Sequence, residues 1–297
     1  MSIRLLLFSC PKPFIDQFTI IQTNAIKSWL KMYHPHVSVD VYLLGKEEGV
    51  QSFALTNGCK YDSDIEYNKY GTPLVSSIFN KIKQIGKQIE LENQNKKVVC
   101  CYINADIITF NCFLENIYQY HHHQSFKNND GNNTRTPYLL VGMRWNVDGI
   151  KQIDFDDNNW TSNVIDYAQT HGESHGCWGI DYFIFPPDTF KYIYPFALGK
   201  FVWDRWLVGN VYRRDSITVD ISNTNFVIHQ NGMWYQSSTG GATKDRKSLY
   251  DTDEVNINHS FDYYEKDIYT GTRWETQFDT TNNKIVFIEK SSIPRKD

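Results

Sequence analysis

Residues 98–103, Val-Val-Cys-Cys-Tyr-Ile, run straight into Asn104-Ala105-Asp106 and constrain the fold more than any other stretch. Six apolar or aromatic residues without alternation are typical of a strand that is buried on both faces of a parallel sheet. Parallel sheets bind ligands beyond the carboxyl ends of their strands. Asp106 is therefore expected at a ligand-binding edge. There it either holds a divalent cation or begins the next turn or helix.

The residues before this run predict alternating strands and helices. Residues 3–8 and 37–44 have the pattern of strands, and between them the apolar residues from 14 to 33 recur at helical spacing. Pro73 predicts the start of a further helix, with Thr72 as its N-cap. This order of elements with short connections predicts an α/β fold.

The residues after this run continue the pattern and then change in composition. Strands are predicted at 138–143 and 179–185, and a helix at 198–208. The last sixty residues are more polar, and they predict loops together with a hairpin formed by 273–278 and 284–288.

Composition excludes some classes of protein. The formal net charge is −4, whereas nucleic-acid-binding proteins usually carry a basic excess. No stretch of about 18 apolar residues is present, so no membrane span is expected. The six cysteines form no Cys-x-x-Cys motif, and two of them lie in the predicted buried strand. This cysteine usage predicts a reduced, cytoplasmic protein.

Seven short stretches across residues 3–232 occur in the order found in one known family. They are Asn24–Leu30, Gly45–Val50, Gly71–Leu74, Tyr102–Ile107, Gly179–Phe183, Gly199–Leu207 and Ile228–Asn231. Together they resemble the GT-A-type nucleotide-diphospho-sugar glycosyltransferases, in particular the plant-type branch with galactosyl-, xylosyl- and arabinosyltransferases. The resemblance implies a GT-A (Rossmann-like) mixed sheet flanked by helices, with a C-terminal loop and hairpin extension. It also implies a single domain over 1–297, with a core of about 1–236 and a polar extension at 237–297.

The resemblance also implies a metal site. The family has an Asp-x-Asp motif that binds Mn²⁺ or Mg²⁺ together with the donor diphosphate, but here Asn104 replaces the first acid. Asp106, His229 and Asn104 are the metal ligands that the resemblance implies. Imidazole is an acceptable ligand of Mn²⁺. The alternative for His229 is a hydrogen-bonded histidine at the end of a core strand.

Further residues receive roles from the same resemblance. The catalytic candidates are Asp181 and Asp204. The donor-binding candidates are Phe8, Ser9, Cys10, Thr72, Pro73, Ser76, Ser77, Asn104, Ala105 and Asp106, and the sugar and acceptor candidates are Arg144, Trp145, Trp203 and Trp206. Structural alternatives stay open: a cap for Asp181, a partner of Arg205 for Asp204, an ion pair with Asp148 for Arg144, and core packing for the tryptophans.

The expected function is metal-dependent transfer of a sugar, with galactose as the first choice, from a UDP-sugar to a glycan or glycosylated protein. The alternative is a catalytically silent carbohydrate-binding protein on the same fold, which Asn104 and the 15% aromatic content favour. A nucleotidyltransferase ranks last because no glycine-rich loop carrying Lys or Arg lies near the first strand.

Overall fold

The chain forms an α/β fold, as the sequence predicts. The computed structural model describes residues 2–92, 96–127, 137–214, 216–231, 253–261 and 264–291. The elements of the first part are β1 (Ser2–Ser9), α1 (Asp16–Lys31), β2 (Val37–Leu44), α2 (Val50–Asn57), β3 (Lys60–Asp62), α3 (Val75–Glu92), β4 (Lys96–Ile103), β5 (Ile107–Ile108), α4 (Asn111–His122) and a 3-10 turn (Gln124–Phe126). Those of the second part are β6 (Tyr138–Val141), β7 (Trp145–Asp148), α5 (Trp160–His171), β8 (Gly172–Ser174), β9 (Tyr182–Phe185), α6 (Trp203–Tyr212), β10 (Ile217–Asp220), β11 (Ile228–Asn231), α7 (Asp253–His259), α8 (Ile268–Gly271), β12 (Trp274–Asp279) and β13 (Lys284–Glu289).

The strands form two sheets. The main sheet has nine strands in the order β13-β12-β10-β6-β9-β4-β1-β2-β3, and the second sheet has four in the order β5-β11-β7-β8. Most neighbours in the main sheet are parallel, but β9 runs antiparallel to both β4 and β6. The start of β9 therefore lies at the same edge as the carboxyl end of β4.

The core lies on both faces of the main sheet. Residues 98–103 of β4 are no more than 2% exposed, which confirms the prediction of a strand buried on both faces. Val99 and Cys101 belong to a cluster with side chains of α1 and α4, whereas Cys100 and Tyr102 pack with α3 and α6. A continuous apolar run is needed here because helices cover each face of the sheet.

Buried Asn24 of α1 links distant parts of the chain. Its amide nitrogen donates to the Lys151 carbonyl at 3.0 Å and to Gln230 Oε1 at 2.9 Å, and its oxygen accepts from the Ile153 amide at 2.9 Å. Gln230 in turn donates to the Ile21 carbonyl at 2.9 Å. These bonds hold the loop after β7 and the strand β11 against α1.

Helix α3 begins later than the sequence predicts. The prediction of Thr72 as its N-cap and Pro73 as its first turn was wrong, because residues 73 and 74 are extended and form bridges to Tyr67 and Ala197. The Leu74 amide donates to the Glu66 carbonyl at 2.9 Å. Pairing with neighbouring chain segments thus overrides the local preference of Pro73 for a helix start.

Helix α6 also begins later than predicted, at Trp203 instead of residue 198. The Asn258 side chain donates to the carbonyls of Ala197 and Phe201, which fixes this segment in a non-helical form. Val202, just before the helix, has a φ of 92°, which is rare for a β-branched residue.

The predicted hairpin is confirmed as β12–β13, and it joins the main sheet where β12 pairs in parallel with β10. Residues 237–252 of the predicted extension lie outside the described residues. The assignment of 1–297 to one domain stays a prediction. Among the helices described, none combines the length and apolar character that crossing a membrane requires.

Candidate active site

Polar side chains meet at the carboxyl end of β4 because β9 starts there. The Asn104 amide donates to the Asp181 carbonyl at 2.9 Å, and its side chain donates to Asp181 Oδ1 at 2.6 Å. Tyr102 donates to Asn104 Oδ1 at 2.9 Å. Asn104 is therefore bonded through both the oxygen and the nitrogen of its side-chain amide, and its nitrogen orients the Asp181 carboxylate.

Arg144 completes the bonding of Asp181. Its guanidinium donates to Asp181 Oδ2, and its Nε donates to Asn146 Oδ1 at 3.1 Å. This answers the question left open by the sequence, since Arg144 pairs with Asp181 and not with Asp148. Asp181 is only 5% exposed, and both of its carboxylate oxygens accept hydrogen bonds, so it acts here as a positioning group.

The second sheet carries the other half of the site. His229 of β11 lies opposite Ile107 of β5 and Asn146 of β7. Cross-strand neighbours share one face of a sheet, so His229 and Asn146 lie side by side on the same face. Asp106 lies in the turn that directly precedes β5. His175 follows β8, and its Nδ1 lies 2.9 Å from the Asn146 side-chain nitrogen.

Asp106 and His229 are brought together as the resemblance implies. His229 Nε2 lies 3.4 Å from Asp106 Oδ2. The Asp106 side chain is 32% exposed overall, but its Oδ1 is fully covered and has no hydrogen-bond partner among the residues that the structure describes. Burial raises the pKa of Asp106, but interactions with His229, Arg144 and Lys12 outweigh burial and lower the pKa to about 2. Asp106 is thus an anion at every physiological pH.

A chain of polar side chains fixes the orientation of His229. Asn231 donates from its amide nitrogen to Asp148 Oδ1 at 2.8 Å, so its amide oxygen faces His229 Nδ1 at 2.9 Å. Because a carboxylate only accepts, this arrangement requires the proton of the neutral imidazole on Nδ1. His229 Nε2 faces Asp106 Oδ2, and in the neutral imidazole its lone pair would be available to a cation bound between the two side chains, as in a metal-ligating histidine whose other nitrogen is held by an acceptor.

Asp204 differs from the other acids of the site. It lies at the start of α6, next to the strained Val202, and its Oδ1 accepts from the Arg205 amide at 2.9 Å. Burial raises the pKa of Asp204 to about 6, the nearby charge of Asp181 adds to the rise, and Arg205 opposes it. A carboxyl group with such a pKa suits proton transfer near neutral pH.

The residues fit a divalent cation held jointly with a ligand. Within the described part of the chain, no group of three or more His, Cys, Asp and Glu side chains is arranged to hold a metal ion alone. The unpartnered Oδ1 of Asp106 and the oriented Nε2 of His229 supply two ligands. Mg²⁺ and similar ions are commonly bound by one or two carboxylates together with substrate phosphates.

The predicted donor residues have unequal positions. Phe8 is fully buried against Phe79 and Tyr102, so its side chain serves packing. Ser9 ends β1 with a buried Oγ that has no hydrogen-bond partner. Burial, with the charge of Glu47, raises the pKa of Cys10 far above its usual value. The remaining donor candidates, Thr72, Pro73, Ser76, Ser77 and Ala105, are partly exposed.

The tryptophans predicted to stack on sugars are mostly packing residues. Trp203 is 5% exposed and Trp206 is 1% exposed, and Trp203 packs edge-on against Tyr102 at 5.3 Å between ring centroids. Neither ring has a face open to a ligand. Trp145 in β7 is partly exposed and contacts Phe226.

Sequence reasoning missed three residues of the site. Lys12 lies in the loop after β1, and its charge acts on Asp106. His175 lies against Asn146, where burial and the charge of Arg144 lower its pKa. Asn231 orients His229. Of these three, only Lys12 could have been predicted from the sequence, because it is a basic residue in the loop between the first strand and the first helix.

Comparisons with known proteins give limited information. No protein-family model matches this sequence, and no curated protein matches it significantly. A solved structure from Desulfovibrio desulfuricans G20, described as a "putative nucleotide-diphospho-sugar transferase", is similar with a TM-score of 0.43 and 10% identity, over 86% of this chain and 94% of that chain. The α/β class of this chain follows from its own strand order and helix positions.

Proposed function

We propose that this protein is a glycosyltransferase that uses a nucleotide-diphospho-sugar donor. The observation that carries the proposal is the pair formed by Asp106, with its unpartnered Oδ1, and His229 Nε2 at the carboxyl edge of the main sheet. Two basic side chains, Lys12 and Arg144, act on the same carboxylate. A diphosphate matches this arrangement because it binds a shared cation and basic groups at once.

Asp106 and His229 would hold a divalent cation, with Mn²⁺ or Mg²⁺ as the candidates, and the bound cation would supply Lewis-acid stabilisation of the charge on the departing diphosphate. Lys12 and Arg144 offset the same charge. Asn104 and Arg144 fix the orientation of the Asp181 side chain at the edge of the proposed donor site. UDP is the proposed nucleotide, and galactose is the first sugar to test, both on the resemblance to the plant-type branch.

Asp204 is the proposed base. The acceptor hydroxyl oxygen attacks the anomeric carbon while the bond from that carbon to the diphosphate breaks, and the bonding electrons leave with the nucleotide. The acceptor proton passes to Asp204, whose pKa of about 6 makes it an effective acceptor of protons near pH 7. This single displacement inverts the anomeric configuration.

The first experiment measures release of nucleoside diphosphate from a panel of nucleotide sugars, with Mn²⁺, with Mg²⁺ and with EDTA. Metal-dependent release of UDP from one sugar is the expected result, and it identifies donor and cofactor together. If no donor is hydrolysed and UDP does not bind with metal, the transferase proposal fails.

A second candidate is a catalytically silent carbohydrate-binding protein. The side-chain amide of Asn104 bonds Tyr102 and Asp181, and Asn104, which replaces the first acid of the family motif, carries no charge for a cation. Glycan binding without turnover over the whole donor panel is the result that this candidate predicts.

A further inference from the structure

Two exposed aromatic side chains lie beside the candidate site. Trp178 is 57% exposed and Tyr269 is 51% exposed, whereas Trp203 and Trp206 are buried. Trp178 belongs to the short loop between His175 and Asp181. Two exposed aromatic side chains close together next to a polar site can bind a ligand that has an apolar face, because covering their rings is favourable.

One backbone hydrogen bond holds these two residues near each other. The Ile268 amide donates to the Cys177 carbonyl at 3.3 Å, and the residues that follow these two in the chain are Tyr269 and Trp178. Ile268 is fully buried, so this bridge is anchored in the core. The bridge therefore joins the start of α8 to the loop that leads into Asp181.

A second contact sets Tyr269 against the site itself. Its hydroxyl donates to Met143 Sδ at 3.8 Å, and Met143 directly precedes Arg144, which bonds Asp181. Tyr269 thus contacts the residue before Arg144, and Trp178 lies three positions before Asp181 in the loop that the Ile268–Cys177 bond joins to α8.

Basic side chains support both rings. The Arg205 guanidinium lies 5.2 Å from the ring of Trp178 and pairs with Glu265 at 2.9 Å. Lys290 lies 5.9 Å from the ring of Tyr269, and it donates to Thr272 Oγ1 at 2.6 Å. Cation–π contacts of this kind restrict the rings, so less conformational entropy is lost when a ligand covers them.

We propose that Trp178 and Tyr269 form the acceptor subsite and take the apolar C–H face of a pyranose in a neutral glycan. This inference rests on the proposed transferase function and names the acceptor side of that site. A sugar ring suits the subsite because one of its faces is apolar and its rim carries hydroxyl groups. Aromatic rings cover such a face, and the hydroxyl groups of the rim stay free to bond polar groups or water.

The test compares acceptor binding in four variants of the full chain. Trp178→Ala and Tyr269→Ala remove the rings, Trp178→Phe retains an aromatic face, and Tyr33→Ala is the control. Tyr33 is 73% exposed but follows α1 near the start of β2, at the opposite edge of the main sheet. The probes are lactose, maltose and cellobiose, with the donor that the hydrolysis panel identifies.

We expect the acceptor KM to rise at least tenfold in each alanine variant, with a donor KM within twofold of wild type. Trp178→Phe should recover most of the acceptor affinity, and Tyr33→Ala should match wild type. Acceptor KM values within twofold of wild type in both alanine variants overturn the inference.

A separate measurement keeps this inference distinct from the transferase proposal. Isothermal titration calorimetry of the three saccharides against the protein needs no turnover, and its signal does not depend on the presence of Trp178. If the wild type hydrolyses no donor but binds a saccharide, and Trp178→Ala weakens that binding tenfold, the subsite stands and the transferase proposal fails. If Trp178→Ala binds the saccharide as well as wild type, the subsite is overturned. Binding of none of the three saccharides by the wild type, in this titration or as acceptors, overturns it too.

Discussion

The two sheets of this protein differ in strand length, in burial and in the polar residues that they carry. The main sheet includes five strands of six to eight residues, and the side chains of its central strands are buried in apolar clusters on both faces. The second sheet is built from strands of two to four residues, and its members or their immediate neighbours include Asp106, His229, Asn146 and His175. The comparison teaches that a long apolar sheet stabilises the fold, while a short polar sheet brings chemical groups together from four separate parts of the chain.

The largest effect is expected when the carboxylate of Asp106, which directly precedes β5 of the second sheet, is removed. Asp106→Asn should lower metal-dependent UDP release by about 10²–10³-fold, in the range found when a single group that stabilises transition-state charge is removed. Kinetics of donor hydrolysis measure this loss. Because the lowered pKa of Asp106 stabilises the folded protein above pH 4, the free energy of unfolding should also fall in this variant, and activity is compared under conditions in which both proteins are folded.

The matched control for this variant is Asp156→Asn, which changes a carboxylate that is 97% exposed and lies beside Lys31 at the end of α1. Equal activity of the two variants would contradict the assignment of Asp106.

The main sheet should respond in the opposite way. Leu5→Ala removes a fully buried side chain from the centre of β1 and should lower the free energy of unfolding by about 2–5 kcal/mol through lost burial and a cavity. Urea unfolding measures this change, and Leu5→Ile should cost less than about 1.5 kcal/mol. A large loss of UDP affinity in the folded Leu5→Ala protein would contradict the view that the main sheet serves stability and the second sheet serves binding.

A smaller effect should follow when His229 loses its support. Asn231→Leu removes the acceptor that holds Nδ1 of His229, and such supporting groups are typically worth about 10–100-fold in metal affinity. Mn²⁺ titration in the presence of UDP measures it. Asn163→Leu serves as control, because Asn163 bonds only Asp157 and the helix start of α5 in an exposed region. Unchanged Mn²⁺ affinity in Asn231→Leu would show that the tautomer of His229 needs no such support.

The smallest effect is the change of the free energy of unfolding with pH that is due to Asp204. Asp204 lies in helix α6 and belongs to neither sheet, so this effect is separate from those of the two sheets. The folded state raises the pKa of Asp204 from 3.8 to about 6, so its contribution to stability is present below pH 4 and is lost as pH rises through about 6. Unfolding measured from pH 4 to pH 8 should show this decline in wild type and not in Asp204→Asn. Activity should rise over the same range in wild type. Identical stability profiles of the two proteins would contradict the raised pKa.

Local patterns of the sequence were sufficient for much of the fold. The unbroken apolar run of β4, the helical spacing in α1 and the hairpin β12–β13 are set by residues close together in the chain, and each is confirmed. Patterns failed where distant segments decide the outcome. Thr72 and Pro73 have the chemistry of a helix start, but pairing with residues 66 and 196–198 holds this segment extended.

The candidate site was less accessible to sequence reasoning. Asp106 and His229 were found through ordered motifs, but nothing in the sequence near Asn231 indicates that its partner is Asp148, 83 positions away. Trp203 and Trp206 were predicted to stack on sugars because nothing local in the sequence shows that they are buried. In the structure Trp203 packs against Tyr102 of β4 and Phe183 of β9, and Trp206 packs against Tyr194 and Phe196. Trp178, with a similar local composition, is exposed. Exposure of an aromatic side chain is a tertiary property that no local pattern specifies.

The bonds of Asn24 have a consequence for how the protein is made. Its partner Gln230 lies 206 positions further along the chain, and the loop it holds lies 127 to 129 positions further. Closing such long loops costs entropy that early contacts do not have to overcome. During synthesis β1, β2 and β4 can pair while β11 is still untranslated, and domains form as their residues emerge. We expect nascent chains that stop before residue 228 to hold a paired parallel core yet to bind no nucleotide, so that donor binding appears as one of the last events in biogenesis.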